Sequence, residues 1–427
     1  MNRTYIGNIA KKHFGKQVMV EGWVADVRDL AKIKFLLVRD ISGQLQAVAL
    51  KGMIEDSLFR KIGRIHPESA VKIEGKVNKS KQARQGFELQ IQKLDVLADS
   101  KTPLPIDTSP KSKTLIDRRL DYRFLDLRRS NIQAIFKIQS TVVNAFRQFF
   151  MSNDYIEIQP PSIIATATEG GTELFPVKYF EKTAYLAQSP QLYKQMCAIS
   201  LEKVFTVTPV WRAEKHNTPR HLNESRQMDI EVAFADEFYV MKVLEEAVKY
   251  IVEEVNRQNK KELDILDLKL KVPKSKYFSY KEAISLLKKN KIPIENGDDL
   301  PPEGEKKLEE LYPNTIVFVH SWPVKLKPFY IWPKKDNTTG GFDAIYGGIE
   351  ISSGGQRVHL PEILEKQLKL KGLKPKDFEY YIDSFRFGAP FHSGWSIGLE
   401  RFTMALLKLG NIREACLFPR DRIRLTP

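Results

Sequence analysis

Five short runs that alternate apolar with polar residues, crowded into residues 17–97, limit the fold more than any other feature of this chain. The first is Val18-Met19-Val20-Glu21-Gly22-Trp23-Val24, and Lys34-Phe35-Leu36-Leu37-Val38-Arg39-Asp40 is the second. Ser42-Gly43 then turns the chain into Leu45-Gln46-Ala47-Val48-Ala49-Leu50. A helical stretch near Asp56 to Ile65 precedes Ala70-Val71-Lys72-Ile73-Glu74-Gly75-Lys76-Val77 and Phe87-Glu88-Leu89-Gln90-Ile91. Aromatic and β-branched residues at period two read as strands. Five strands with a helix between the third and fourth is the order of an OB-fold β-barrel, expected over residues 1–100.

At 427 residues the chain has room for two or three domains. Pro103, Pro105 and Pro110 in a polar setting mark 101–130 as a hinge. A second domain is expected over 131–427. Asn131 to Met151 is apolar at helical spacing (Ile135, Ile138, Val142, Val143, Phe146, Phe149, Phe150), and a strand at Tyr155-Ile156-Glu157-Ile158 stops at Pro160-Pro161. Phe238 to Asn256 is a second amphipathic helix, with Val240, Leu244, Val248 and Ile251 on one face. Strands and helices alternate without a regular repeat, which predicts an α+β fold: an antiparallel sheet flanked by helices. Residues 257–340 are Lys-rich and irregular and read as a small peripheral insertion.

No run of about 18 apolar residues occurs, so no transmembrane helix and no membrane association are expected. The N-terminus lacks the apolar core of a secretory signal. Cys197 and Cys416 cannot make a disulfide framework and read as buried thiols, which points to a reducing compartment, the cytoplasm. Lys and Arg number 68 against 53 Asp and Glu, a net charge of +15 that suits a polyanionic partner such as nucleic acid.

Three separated stretches carry chemistry. In Val210-Trp211-Arg212-Ala213-Glu214-Lys215-His216-Asn217-Thr218-Pro219-Arg220-His221-Leu222-Asn223-Glu224, strand-like runs flank a turn crowded with Arg212, Arg220 and His221. Guanidinium forks match polyphosphate oxygens, although a solvated hairpin tip would look similar. In Phe342-Asp343-Ala344-Ile345-Tyr346-Gly347-Gly348-Ile349-Glu350-Ile351-Ser352-Ser353-Gly354-Gly355-Gln356-Arg357, a turn at Gly347-Gly348 would bring Asp343 and Glu350 onto adjacent antiparallel strands. Two carboxylates so placed can hold Mg2+ against substrate phosphates; otherwise one of them pairs with Arg357 and no metal is involved. In Gly394-Trp395-Ser396-Ile397-Gly398-Leu399-Glu400-Arg401-Phe402, glycines admit a ligand just before a helix, and Arg401 in the first turn opposes the helix dipole, as a residue that meets an anion would.

Together the three stretches resemble the motifs of class II aminoacyl-tRNA synthetases. Thr168-Glu169-Gly170-Gly171-Thr172-Glu173-Leu174-Phe175 and Gln188-Ser189-Pro190-Gln191-Leu192-Tyr193-Lys194-Gln195 narrow the resemblance to the aspartyl enzymes. The resemblance runs the whole length, through Phe418-Pro419-Arg420-Asp421-Arg422. No large domain separates the second and third motifs, as it does in bacterial aspartyl enzymes, so the archaeal and eukaryotic type is nearer. The implied activity joins L-aspartate to the 3′ end of tRNA(Asp) with ATP and Mg2+.

By that resemblance Arg212 and Arg401 are catalytic. ATP would meet Arg212, Ala213, Glu214, Arg220, His221, Leu222, Glu350, Gly398, Leu399, Glu400 and Arg401; the metal would meet Asp343, Glu350 and Ser353. Aspartate would be held by Glu169, Gln191, Leu192, Tyr193, Lys194, Arg212, Ser353 and Arg357. Lys194 and Arg357 would take its side-chain carboxylate, so that a neutral amide would leave two cations underpaired; Lys194 as a surface lysine is the plainer alternative. In the barrel, Phe35 would stack on an anticodon base while Arg28, Gln46, Arg84 and Glu88 read base edges; Phe35 as barrel core and Arg28 as a solvated charge are the alternatives. Pro161 would lie at a homodimer interface. Discriminating archaeal relatives carry Trp and Lys where this chain has Ala25 and Arg84, so charging of tRNA(Asn) as well is an open alternative. An asparaginyl synthetase, an amidoligase that needs no tRNA and a non-enzymatic RNA-binding paralogue are the further rivals; the barrel argues against the second, and the intact Arg212, Glu350 and Arg401 against the third.

Overall fold

Strands β1 (Gln17–Leu30), β2 (Ile33–Arg39) and β3 (Gln44–Leu50), helix α1 (Asp56–Ile62), then β4 (Ala70–Lys79) and β5 (Phe87–Ala98) follow the expected order. They close into a barrel in the order β1-β2-β3-β5-β4. Closure needs sharp bends where backbones nearly touch. At Gly22 a Cβ would lie 2.3 Å from the Arg39 carbonyl oxygen, and at Gly75 2.2 Å from that of Gln90. The alternating residues Val18, Val20, Val24, Leu36, Val38, Ala47, Val71, Ile73, Leu89 and Ile91 fill the interior, joined by Phe59 and Ile62 of α1. Ala25 is the extra residue of a β-bulge: Val24 pairs with Val38 and Asp26 with Leu37.

The computed structural model describes residues 2–166, 174–215 and 218–427. It divides into one unit ending at Arg118 and a second from Arg119 to Pro427. The stretch 101–130, expected as a hinge, is tied down within both units. In the first, Ile106 is buried and Thr108 donates to Glu68 at 2.7 Å. In the second, the buried Asp126 accepts from Arg119 (3.0 Å), Arg129 (3.0 Å) and Arg123 (2.5 Å).

The second unit is built on α2 (Ser130–Met151), β6 (Ile156–Glu157), α3 (Gln191–Leu201), β7 (Lys203–Trp211), β8 (Glu224–Ala233) and α4 (Glu237–Gln258). It continues through β9 (Lys274–Ser279), β10 (Thr315–His320), β11 (Gly341–Tyr346), β12 (Ile349–Gln356), β13 (His392–Gly398) and α5 (Leu399–Leu406). Eight strands form one sheet in the order β9-β10-β11-β12-β13-β8-β7-β6. Its interior pairs are antiparallel, as expected. Its two edge pairs, β9 with β10 and β7 with β6, are parallel, so the sheet is mixed. Helices α2 and α4 cover one face: Phe146 and Phe150 meet the buried Trp395 edge-on at 6.2 and 5.7 Å, and Val240, Leu244, Val248 and Ile251 are fully buried. Among the described residues, no helix is long and apolar enough to cross a membrane.

The segment 257–340 is a correction to the sequence reading. It supplies β9 and β10 to the central sheet, and Ile316 and Phe318 belong to the main core. Apart from the buried Lys327, its lysines are exposed or half-buried, and they masked the buried strand Thr315-Ile316-Val317-Phe318-Val319-His320.

Burial alone would raise the Asp126 carboxyl, but hydrogen bonds and charges from the surrounding arginines hold it below the usual carboxylate range. Asp126→Asn keeps the shape and removes the charge, so it should lower the unfolding free energy by about 3–5 kcal/mol. Urea unfolding of the second unit's signal checks this; a loss within error of zero would show that the arginines need no anion there.

Candidate active site

A long hairpin, a short hairpin and a helix start meet around one cleft of about 300 Å³. Strands β7 and β8 present the loop 212–223. Asn223 closes its mouth: its side-chain amide donates to the carbonyls of Arg212 (2.7 Å) and Glu214 (2.9 Å), and its own N–H donates to the Arg420 carbonyl (2.8 Å). The Arg212 guanidinium faces the cleft. Arg220 spans to Glu305 (2.7 Å) and to the Gly348 carbonyl (3.3 Å), and His221 Nδ1 meets the Thr218 hydroxyl at 2.6 Å.

The short hairpin is the one the glycines predicted. Gly347 and Gly348 adopt φ of 62° and 72°, the left-handed pair that a two-residue turn requires. Asp343 stands opposite Ser353, and Glu350 opposite Ile345. Burial and then the charge of Asp343 push the Glu350 carboxyl up to about 7. Arg401 lies 3.9 Å from Glu350. Asp343 itself is gripped by Lys327, whose Nζ donates to both carboxylate oxygens at 2.7 and 2.6 Å. Arg357 pairs with neither of these carboxylates. At the helix start Gly398 caps α5, and the buried Glu400 accepts from the Arg226 N–H at 3.0 Å while burial pushes its carboxyl up to about 7.

The floor of the cleft is a buried quartet of charges. Arg357 donates through Nε and Nη2 to Glu231 at 2.8 and 3.1 Å. Lys194 donates to Asp229 at 2.8 Å and to the Trp395 carbonyl at 3.2 Å, and lies 3.5 Å from Glu231. Burial would raise Glu231, but the charges of Arg357 and Lys194 outweigh it and hold the carboxyl low. Lys194 is therefore no surface lysine. Beneath the quartet, Gln191 and Tyr381 donate to the side-chain amide oxygen of Gln195 at 2.7 and 2.8 Å, and the Gln195 amide nitrogen meets His392 Nε2 at 2.9 Å. His392 Nδ1 faces the Pro390 carbonyl at 2.9 Å, so that nitrogen carries the proton and Nε2 accepts.

Of the residues expected here, Gln191, Lys194, Arg212, Glu214, Arg220, His221, Leu222, Glu350, Ser353, Arg357, Gly398, Glu400 and Arg401 line the cleft. Leu192 and Leu399 are packed into apolar clusters and support it from beneath. Ala213, Tyr193 and Asp343 do not line it, and Glu169 lies outside the described residues. Asp229, Glu231, Glu305 and Lys327 were missed. The first two had a signal, since Met228-Asp229-Ile230-Glu231-Val232 puts acids on one face of a buried strand; Glu305 and Lys327 had none.

On the barrel, Phe35 lies outside the core cluster, half-exposed and paired across strands with Arg28. Arg28 is 3.2 Å from Asp26, Gln46 donates to Glu88 at 3.0 Å, and Arg84 is exposed. In the second unit Pro161 is exposed, and Ile156 is exposed at the β6 edge.

The profile of the class II tRNA synthetases (D, K and N) matches residues 116–422, and that of an OB-fold nucleic acid binding domain matches residues 18–97. The aspartate–tRNA(Asp) ligase of Pyrococcus horikoshii is 47% identical over all of both chains. The aspartate–tRNA(Asp/Asn) ligase of Methanopyrus kandleri is 44% identical over 99% of each. Among solved structures, asparaginyl-tRNA synthetase from Pyrococcus horikoshii with asparaginyl-adenylate gives a TM-score of 0.93 at 34% identity, with both chains fully covered. Aspartyl tRNA synthetase from Entamoeba histolytica gives 0.90 at 32%, covering all of this chain and 93% of that one.

Burial holds His392 down to about 4, against 6.5 for an ordinary histidine, with Glu231 opposing the shift. Between those values the unfolded chain binds more protons than the folded one, so stability is lost as pH falls from 6.5 through 4. The loss should total about 3 kcal/mol. Denaturant unfolding of wild type and His392→Gln across that window reads the difference directly; parallel pH curves would refute it.

Proposed function

The chain belongs to the class II tRNA synthetases of the D, K and N group, and from that premise we propose that it activates L-aspartate with ATP and transfers it to the 3′ end of tRNA(Asp). The observation that carries this is the convergence of Arg212, Glu350, Arg401, Lys194, Asp229 and Arg357 on one cleft, with Glu231 behind them on Arg357. The α-carboxylate of aspartate attacks the α-phosphorus of ATP and pyrophosphate leaves. A 3′-terminal ribose hydroxyl of tRNA then attacks the carbonyl of the aspartyl-adenylate and AMP leaves. The attacking carboxylate needs no activation, so the work falls to fixed cations placed where charge develops. Arg212 takes the α-phosphate, Glu214 the adenine with Arg220, His221 and Leu222 around it, and Arg401 the γ-phosphate side.

Asp343, Glu350 and Ser353 fit Mg2+. Two carboxylates and a hydroxyl on facing strands suit an ion that keeps most of its shell for water and phosphate oxygens, and no group of three or more Asp, Glu, His or Cys able to hold a metal occurs among the described residues. Bound there, the ion would neutralise phosphate charge.

Aspartate selection takes a different form from the one the sequence implied. Lys194 and Arg357 are already paired, so an amide ligand would not strand two bare cations. Arg357 spends Nε and Nη2 on Glu231 and keeps Nη1 for the cleft. A carboxylate offers oxygen acceptors to those donors, whereas a carboxamide turns an N–H toward them. A homodimer through the β6 edge and Pro161, and a cytoplasmic location, complete the proposal.

The barrel reads the anticodon, with Phe35 stacking and Arg28, Gln46, Arg84 and Glu88 at base edges. Charging of tRNA(Asn) as a second substrate is favoured by one feature: Ala25, the bulge residue, offers no aromatic wall. Relatives of both specificities match over nearly their whole length.

In ATP–pyrophosphate exchange, aspartate should support turnover and asparagine should not; equal exchange would overturn the aspartate pocket. Arg212→Ala should cost about 3 kcal/mol of transition-state stabilisation, and near-normal adenylate formation by the folded variant would refute its role. Side-by-side aminoacylation should favour tRNA(Asp) over tRNA(Asn) by no more than one base contact, about 1–3 kcal/mol. Phe35→Ala should weaken charging of both, and unchanged charging would remove the stacking role.

A further inference from the structure

Lys327 is a charged group at the edge of the site to which the proposed reaction gives no task. It ends the turn Val324–Leu326, is 8% exposed, and holds both oxygens of Asp343, itself 7% exposed. Its ammonium also lies 4.4 Å from the centre of the Trp322 ring. The strand–turn–strand partner of Asp343 is in a different state: Glu350 is open to the cleft, with Arg401 no closer than 3.9 Å.

We propose that Lys327 is a tethered counter-ion that holds the Asp343 half of the divalent-cation site whenever no divalent cation is bound and gives way when one arrives. The proposal rests on the assignment of Asp343 and Glu350 to that site. A buried carboxylate without a partner is strongly disfavoured, so Asp343 needs a cation of the protein's own wherever a metal ion does not supply one. An ammonium seated on both oxygens of Asp343 blocks a metal ion from them, and its charge repels one bound beside them. Glu350, lacking a tight partner, meets the incoming ion first, and Asp343 joins only as Lys327 releases it, the ammonium keeping the Trp322 face that it already meets. Pro328, Tyr330 and Ile331, which follow Lys327 directly in the chain, line the cleft. The exchange therefore couples ion binding to the wall of the substrate site. Were Lys327 only an orienting group for Asp343, its removal would weaken metal binding; a competitor's removal strengthens it.

The experiment measures Mn2+ binding to the full-length protein by the electron paramagnetic resonance signal of free Mn2+, with a non-hydrolysable ATP analogue present. Lys327→Gln keeps a hydrogen-bond donor for Asp343 and removes the charge. It should bind Mn2+ tighter than wild type by on the order of tenfold, and its melting temperature should fall below wild type in chelator and recover with Mn2+. Adding Asp343→Asn to Lys327→Gln should abolish the gain, and Lys327→Arg, which keeps the pair, should bind no tighter than wild type. Equal or weaker binding by Lys327→Gln overturns the counter-ion role while leaving the cation site standing. Absence of Mn2+ binding by wild type and variant alike overturns the cation assignment and the proposal with it.

Discussion

The second unit is organised around four charges buried at the floor of its cleft. Asp229 and Glu231 come from β8, Lys194 from α3, and Arg357 follows β12, so the ion pairs pin three sequence-distant segments to one point. Taking such groups out of water is so costly that each must find its partner or the fold fails. The constraint extends to the neighbouring backbone. A Cβ on Gly394 would fall 2.2 Å from a Glu231 carboxylate oxygen, and one on Gly354 would fall 2.5 Å from Trp395 Cβ. Glycine at those two positions is a requirement of the quartet and of the tryptophan that roofs the core. The cleft above inherits this rigidity, which is what a site needs when it stabilises charge by position.

Substrate choice then rests on what the quartet leaves over. Its charges cancel internally, so the pocket does not attract anions by net charge. What it offers is direction: the unspent edge of one guanidinium, held in place by the carboxylate on its other edge. The same plan recurs across the cleft, where Arg220 is fixed by Glu305 and Asp343 by Lys327. Arg212 differs, its loop being held by Asn223 through the carbonyls of Arg212 and Glu214.

Local rules reached far here because much of the architecture is local. The barrel order, the Gly347-Gly348 turn and the buried faces of α2 and α4 each follow from period, glycine and chain proximity. The β10 strand was hidden because Thr315–His320 sits in a lysine-rich neighbourhood whose charges belong to other faces. Asp229 and Glu231 were visible as alternating acids, yet only the fold says that both faces of β8 are covered. Lys327 was beyond reach of any window: its partner lies 16 residues away across a turn and a bend, and nothing in Val324-Lys325-Leu326-Lys327 distinguishes the buried lysine from the exposed one.

The single protonated nitrogen of His392 has a spectroscopic consequence. With Nδ1–H fixed on the Pro390 carbonyl and Nε2 receiving the Gln195 amide, the ring is locked in one neutral tautomer. A nitrogen in that state resonates far from a protonated one, and its shift follows the length of the bond it accepts. Gln195 is held in turn by Gln191, which lines the cleft. The imidazole is thus a native isotope-detectable probe, two hydrogen bonds from a side chain that lines the cleft.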